Sequence, residues 1–286
     1  MAFTPTVWSQ EIDMGIKEEC VANKITNDNY EGEVKNCGDT VKIFIPGDIS
    51  ISPYEQQQDI SSPEYPTDGD DSLVIDQQFY FNFAVDDIDA LQENVKKLKA
   101  YREKAKMAVC NKIDSHVLSL YPEVYSDNII TPDSPLATDN VFDIFNDAYT
   151  ELSENYKISN GLLIPAIISP RVQGVIRSYL ASRNTPWGDQ IAKDGHVGNF
   201  AGFALYASKN LSIVQEDIDT DGTDEEVHKI MVGFPDGITR AEQLLKIEDY
   251  RPEKKFADAV KGLFVYGAKM LKNGKATCCI NAYFEN

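Results

Sequence analysis

The stretch SLVIDQQFYFNFAVDDIDALQ, residues 72 to 92, changes its hydrophobic period partway along. From Leu73 the odd positions run Leu73, Ile75, Gln77, Phe79, Phe81, Phe83 and Val85. This is the period-two alternation of a half-buried strand, broken only at Gln77. At Asp86 the spacing shifts to threes and fours, with Ile88, Leu91, Val95 and Leu98 on one stripe. Asp86, Asp87 and Asp89 stand where a helix N-terminus favours caps and negative charge. The stripe continues through Ala105, Val109, Ile113, Val117 and Leu120 and stops at Tyr121-Pro122. It predicts a helix of roughly 34 residues, about 50 Å long at 1.5 Å per residue, which is long for a compact domain.

Upstream, Val41, Ile43 and Ile45 alternate after a Gly38-Asp39 turn and end at Pro46-Gly47, which predicts a strand. Residues 46 to 71 are polar and rich in Pro, Ser and Asp, so they cannot build a core. They read as the extended tip of a hairpin that returns along the opening stretch. Residues 6 to 26 read as an arm with one amphipathic helix carrying Trp8, Ile12, Ile16 and Val21. Downstream, Val141, Ile144, Phe145, Ala148, Tyr149, Leu152 and Tyr156 mark a second amphipathic helix. GLLIPAII (161 to 168) reads as a buried strand, and Ser169-Pro170 as the N-cap and first position of a third helix. A glycine-rich segment then leads through a strand to an acidic loop at 216 to 226, HKIMVGF is another strand, and TRAEQLLKI reads as a short helix. GLFVYGAKMLKNGKATCCINAYF reads as a closing hairpin turned at Asn273-Gly274. Strands scattered among helices without βαβ regularity predict an α+β fold.

The net charge of -19 and a pI near 4.5 argue against a protein whose main task is to hold a nucleic-acid backbone. The one basic run, Lys96, Lys97, Lys99 and Arg102 with Lys104, Lys106 and Lys112, lies in the long helix and reads first as a solvated face. The first four of these are the candidates for facing DNA. Five cysteines with no CxxC pair argue against a disulfide framework or a zinc site and fit a reducing cytosol. The N-terminal residues lack a basic region and an apolar core, and no apolar run reaches the roughly 18 residues a membrane span needs. The expectation is a soluble intracellular protein with no membrane partner.

The search for chemistry yields little. Gly195, Gly198 and Gly202 match neither the dinucleotide fingerprint nor the phosphate loop. His116, His196 and His228 lie far apart; His116 reads as a packed residue of the long helix, and His196 has no visible partner. In DIDTDGTDEEVH, Asp217, Asp219, Asp221 and Gly222 fill the first, third, fifth and sixth places of a calcium loop. The eighth place is Asp224 and the twelfth His228, so the apolar residue and the bidentate carboxylate are both missing. Asp217, Asp219 and Asp221 are thus a weak metal candidate, and an acidic surface loop is the better account. No catalytic constellation emerges, and neither a cofactor nor enzymatic activity is expected.

Four segments in this order resemble the major capsid (coat) proteins of tailed bacteriophages, the Hong Kong 97-like fold: NKITNDNYEGEVKNCGDTVKI (23 to 43), LVIDQQFYFNFAVDDIDALQ (73 to 92), GNFAGFALYASKNL (198 to 211) and EDYRPEKKFADAVKGLFVYGAK (248 to 269). The resemblance spans nearly the whole chain. It implies an N-terminal arm at 1–30, an extended E-loop hairpin at 31–85, and a P-domain at 86–159 whose spine helix covers 86–121. An A-domain at 160–250 and a closing P-domain hairpin at 251–286 complete it. It further implies a structural protein that self-assembles through pentameric and hexameric capsomers into an icosahedral head around double-stranded DNA, located in the virion and assembled in the host cytoplasm. A scaffolding protein and a portal would be its assembly partners, and packaged DNA would touch it weakly. The E-loop would reach over a neighbour, with Val41, Ile43, Ile45, Phe79, Phe81 and Phe83 as assembly contacts. No lysine and asparagine pair for an intersubunit crosslink is identified by a short motif. The alternatives are an encapsulin-like nanocompartment shell of similar fold and a monomeric acidic calcium- or ligand-binding protein.

Overall fold

The structure is a computed structural model that describes residues 20–28, 40–45, 49–53, 62–65, 69–156, 162–182, 198–218, 224–254, 257–271 and 274–284. At residues 45, 70, 85–99, 102, 243–247, 249 and 258 it describes the backbone alone. The helices are α1 (Asp87–Leu118), α2 (Val141–Asn155) and α3 (Pro170–Ser182). The strands in the first half of the chain are β1 (Thr26–Asn27), β2 (Thr40–Ile45), β3 (Gly69–Val74), β4 (Gln77–Asp86), β5 (Ile129–Ile130) and β6 (Ile164–Ile168). In the second half they are β7 (Asn199–Phe200), β8 (Phe203–Ala207), β9 (Ile213–Glu216), β10 (Glu225–Gly233), β11 (Ile238–Tyr250), β12 (Ala257–Met270) and β13 (Thr277–Ala282).

Three sheets form among the described residues. A four-stranded sheet runs β1-β11-β12-β4 beside α1, and a two-stranded hairpin joins β2 to β3. A seven-stranded sheet runs β5-β13-β10-β6-β8-β7, with β9 also paired to β10. This is the mixed architecture expected of α+β.

The period change at Asp86 is real: β4 passes into α1 without a connecting loop. The interruption at Gln77 is real too, because the expected single strand divides at Ile75-Asp76 into β3 and β4. Upstream of the break, Leu73 and Ile75 are fully buried with Val41, Ile43, Ala241, Val265 and Leu271 in a small second core. Downstream of it, Phe79, Phe81 and Phe83 pack half-buried against the main core. One alternating run thus serves two cores. Gly267 makes the crossing possible, since a Cβ there would overlap the Val74 carbonyl oxygen.

The second helix buries the predicted stripe, Val141, Ile144, Phe145, Ala148 and Leu152. The Ser169 Oγ accepts a hydrogen bond from the Val172 N–H at 3.3 Å at the start of α3, with Pro170 first in the helix. The rings of Phe145, Phe200 and Phe203 meet edge-on at 5.5 and 5.9 Å between α2 and the sheet.

Two expectations fail. TRAEQLLKI is part of the thirteen-residue strand β11, not a helix. Its good helix formers are overridden by antiparallel pairing with β12 from Ile238↔Met270 to Tyr250↔Ala259. The face carrying Arg240 and Glu242 is charged yet buried, which disguises the strand's period. The closing hairpin does not form either: β12 lies in the four-stranded sheet between β11 and β4, whereas β13 pairs with β10 and β5 in the seven-stranded one. Among the described residues the polar segment 46 to 71 adds nothing to the second core, as expected; the flanking Val41, Ile43, Leu73 and Ile75 build it with Ala241, Val265 and Leu271. The arm helix expected over 6 to 26 lies outside the described residues except for a 3₁₀ turn at Val21–Lys24.

Candidate assembly surface

The hairpin is fixed at one end and bare at the other. At the root, Val41, Ile43, Leu73 and Ile75 point into the second core, and the Lys269 ammonium pairs with Asp71 and donates to the Ser72 carbonyl at 3.0 Å. The opposite face of the same strands carries Phe44 and Val74, both exposed. Beyond the strands, Ile49, Ile51 and Tyr65 are exposed, Ile51 at 96% and Tyr65 at 90%. The two sides of the tip are tied by Glu64, whose carboxylate accepts from the Ser50 N–H and Oγ, each at 3.0 Å. Apolar side chains held open to solvent on an anchored projection mark a contact surface.

The site residues named from sequence divide accordingly. Val41 and Ile43 are covered by their own subunit, so they hold the hairpin to the body and are not free to meet a neighbour. Only the backbone of Ile45 is described. Phe79, Phe81 and Phe83 line the side of β4 that faces α1, where Phe83 stacks on Tyr101 at 5.8 Å and Phe79 on Tyr266 at 5.9 Å. The outward residues Phe44, Ile49, Ile51, Tyr65 and Tyr80 were missed. Phe44 and Tyr80 were legible as large apolar or aromatic residues on the polar phase of an alternating strand.

Tyr80 is 80% exposed beside a cavity of about 320 Å³ on the outer face of the four-stranded sheet, lined also by Asn82, Glu248, Lys261, Gly262 and Leu263. The Lys261–Glu248 ion pair is 2.8 Å long, and Asn82 donates to the Tyr250 hydroxyl at 3.0 Å. On the inner side, a Cβ at Gly262 would overlap the Phe81 ring.

The arm is latched to α1 and β11. The Ala22 N–H donates to Asp114 Oδ1 at 2.9 Å and the Val21 N–H to Oδ2 at 3.4 Å, so a carboxylate on α1 receives the first amides of the arm's 3₁₀ turn. Desolvation raises the Asp114 carboxyl above its ordinary value, and those two amides work against the rise. Arg240 reaches the half-buried Asn23 side chain and, at 3.4 Å, Glu242, the two charged residues being buried. This cluster is invisible to local pattern, because the arm residues meet partners some 90 to 220 positions away.

The remaining candidates carry no site. Asp217 is exposed, Asp219 and Asp221 lie outside the described residues, and the twelfth loop position, His228, is buried in β10 between Ile213 and Ala282. Burial lowers its pKa, and it meets Glu226 at 3.1 Å and the edge of Phe284. Among the described residues no cluster of three or more His, Cys, Asp or Glu is placed to hold a metal. His116 packs edge-on against Tyr266 at 5.3 Å, and burial lowers its pKa too. The side chains of Lys96, Lys97, Lys99 and Arg102, and of Asp86, Asp87 and Asp89, lie outside what is described, as does His196. Among the described residues no helix is long and apolar enough to cross a membrane.

No protein-family profile matches this chain, and no curated protein matches it. Solved structures do. A structure from Mycobacterium phage Che8 superposes with a TM-score of 0.66 at 24% identity, covering 91% of this chain and 90% of that one. The capsid of Ralstonia phage GP4 gives 0.69 at 10% identity over 91% and 87%. The capsid structure of the cyanophage P-SCSP1u gives 0.61 at 15% over 88% and 85%. With mixed sheets, a long helix fed directly by a strand, and likeness over nearly the full length of both partners, the chain carries the tailed-phage major capsid protein fold.

Proposed function

We propose that this chain is the major capsid protein of a tailed phage, a non-catalytic subunit that builds pentameric and hexameric capsomers of an icosahedral head enclosing double-stranded DNA. The observation that carries the reading is the anchored hairpin with Phe44, Ile49, Ile51 and Tyr65 exposed, on a fold that phage capsid structures match over 88% and 91% of the chain. A lone subunit leaves these side chains in water, whereas a neighbour beneath the hairpin covers them. In this reading residues 31–85 are the E-loop, 86–159 the P-domain with α1 as its spine helix, 160–250 the axial domain, and 251–286 a return to the P-domain. A scaffolding protein and a portal assist assembly in the host cytoplasm, and Lys96, Lys97, Lys99 and Arg102 make the local contacts to DNA that a chain of charge -19 allows.

The test is sedimentation velocity with negative-stain microscopy of the full chain, alone and co-expressed with a scaffold. Rings or closed shells are expected. A monomer under every salt, concentration and scaffold condition overturns the proposal.

A further inference from the structure

Cys20 on the arm and Cys110 on α1 are both buried, and their Sγ atoms lie 2.7 Å apart. Neither is engaged in a disulfide. Their juxtaposition does not depend on the sulfurs. Cys110 sits one helical turn before Asp114, on the same face of α1, and Asp114 fixes the amides of the two residues that follow Cys20. Farther along the arm, β1 pairs in parallel with β11 at Thr26↔Ile238, Asn27 Nδ2 donates to the Pro235 carbonyl at 3.0 Å, and Arg240 holds Asn23. The arm after Cys20 is therefore held to the body by other bonds.

We propose that Cys20 and Cys110 are a latent crosslink that closes to an intrasubunit disulfide when the protein meets an oxidising thiol–disulfide couple such as oxidised glutathione. In the first step one cysteine thiolate attacks the glutathione disulfide, forming a mixed disulfide and releasing one glutathione thiolate. The second cysteine thiolate attacks the protein sulfur of that mixed disulfide and releases the other. The protein loses two electrons and two protons, and oxidised glutathione becomes two reduced molecules. The hydrogen bond with the Cys110 thiol, and then burial, hold Cys20 in its protonated form, so closure is slow and waits on transient opening of the arm turn. The bond joins the arm to α1 and encloses β1, β2, β3 and β4 within one covalent loop. The inference stands on the subunit alone, whether or not it assembles.

The other described cysteines do not compete. Cys278 and Cys279 are adjacent in β13, where successive side chains point to opposite faces, and burial pushes the Cys279 thiol up to about 12.

The experiment incubates the purified full chain with excess oxidised glutathione or with dithiothreitol, then alkylates free thiols and maps tryptic peptides. The expected product links EECVANK (18–24) to MAVCNK (107–112), gives a faster band on non-reducing gels, and melts at higher temperature than the reduced form. Cys20→Ala and Cys110→Ala each remove the fast band, and Cys37→Ala and Cys279→Ala keep it. The peptide map of the unmutated protein needs no variant to fold. Glutathione adducts without the linked peptide, or a linked peptide pairing either cysteine with Cys37, overturn the proposal.

Discussion

Replacing Leu73 by Ala and Ile51 by Ser should separate folding from assembly, although both residues belong to one hairpin. Leu73 is fully buried among Val41, Ile43, Ile75, Ala241, Val265 and Leu271. Truncation removes three carbons, about 2.4 kcal/mol at ~0.8 kcal/mol per buried group, and the cavity left behind brings the loss to about 3–4 kcal/mol. The loss reports on the whole subunit, because Ala241 and Val265 belong to strands at the centre of the four-stranded sheet. Ile51 is 96% exposed, so Ser there should change subunit stability by less than about 0.5 kcal/mol. If a neighbour covers Ile51, each contact loses about 2 kcal/mol, close to 30-fold in its association constant, and a closed ring repeats that loss at every interface. Urea unfolding of unassembled protein by circular dichroism reads the first quantity, and sedimentation velocity against concentration reads the second. The reasoning is refuted if Ile51→Ser lowers the unfolding midpoint as much as Leu73→Ala does, or if it assembles at the concentration the unmutated chain requires.

Three further outcomes are expected. Replacing residues 48 to 68 by a short Gly-Ser turn keeps β2 and β3, so melting should be nearly unchanged while shells are absent; normal assembly would remove the hairpin's assigned role. Asp114→Ala strands two arm amides and should cost about 1–3 kcal/mol, seen as faster hydrogen exchange at Val21 and Ala22 and earlier proteolysis of the arm. Burial lowers the pKa of His116 and His228 below their ordinary 6.5, so the unfolded chain takes up protons first as the solution is acidified. Their contribution to stability is complete above 6.5 and is lost as pH falls below it, by at most about 1.4 kcal/mol per pH unit for each group. The raised Asp114 carboxyl acts in the opposite sense, above its ordinary 3.8. Unfolding midpoints at pH 7.5 and 5.5 should therefore differ, and His228→Gln should shrink the gap; an unaltered gap would exclude His228.

Where one physical signal dominated, the sequence reported it well. The β4 to α1 passage was legible because period and capping chemistry change at the same residue, and α2 because its stripe faces a single apolar core. β11 was not legible, because the ion pair Arg240–Glu242 sits where a strand would show an apolar residue. The closing strands were misjudged because Asn273-Gly274 has the local chemistry of a tight hairpin while the flanking strands find partners in separate sheets. For a related reason alternation singled out the covered face of the hairpin: it tells which residues share a face, and here the more apolar face packs on the chain's own second core.

The pairing of β4 with β12 sets a schedule for biosynthesis. Residues 77 to 86 find their sheet partner only at 257 to 266, and β1 finds β11 at 238 and 239. At ~5–20 residues per second, about 10–35 s of synthesis separate the emergence of β4 from that of its partner. Throughout that interval Phe79 lacks the Tyr266 ring it stacks on, and the hairpin root lacks Val265 and Leu271. A chain built this way depends on chaperones for as long as its synthesis lasts, and a ribosome that stalls before residue 257 releases a sticky fragment with an unpaired edge strand.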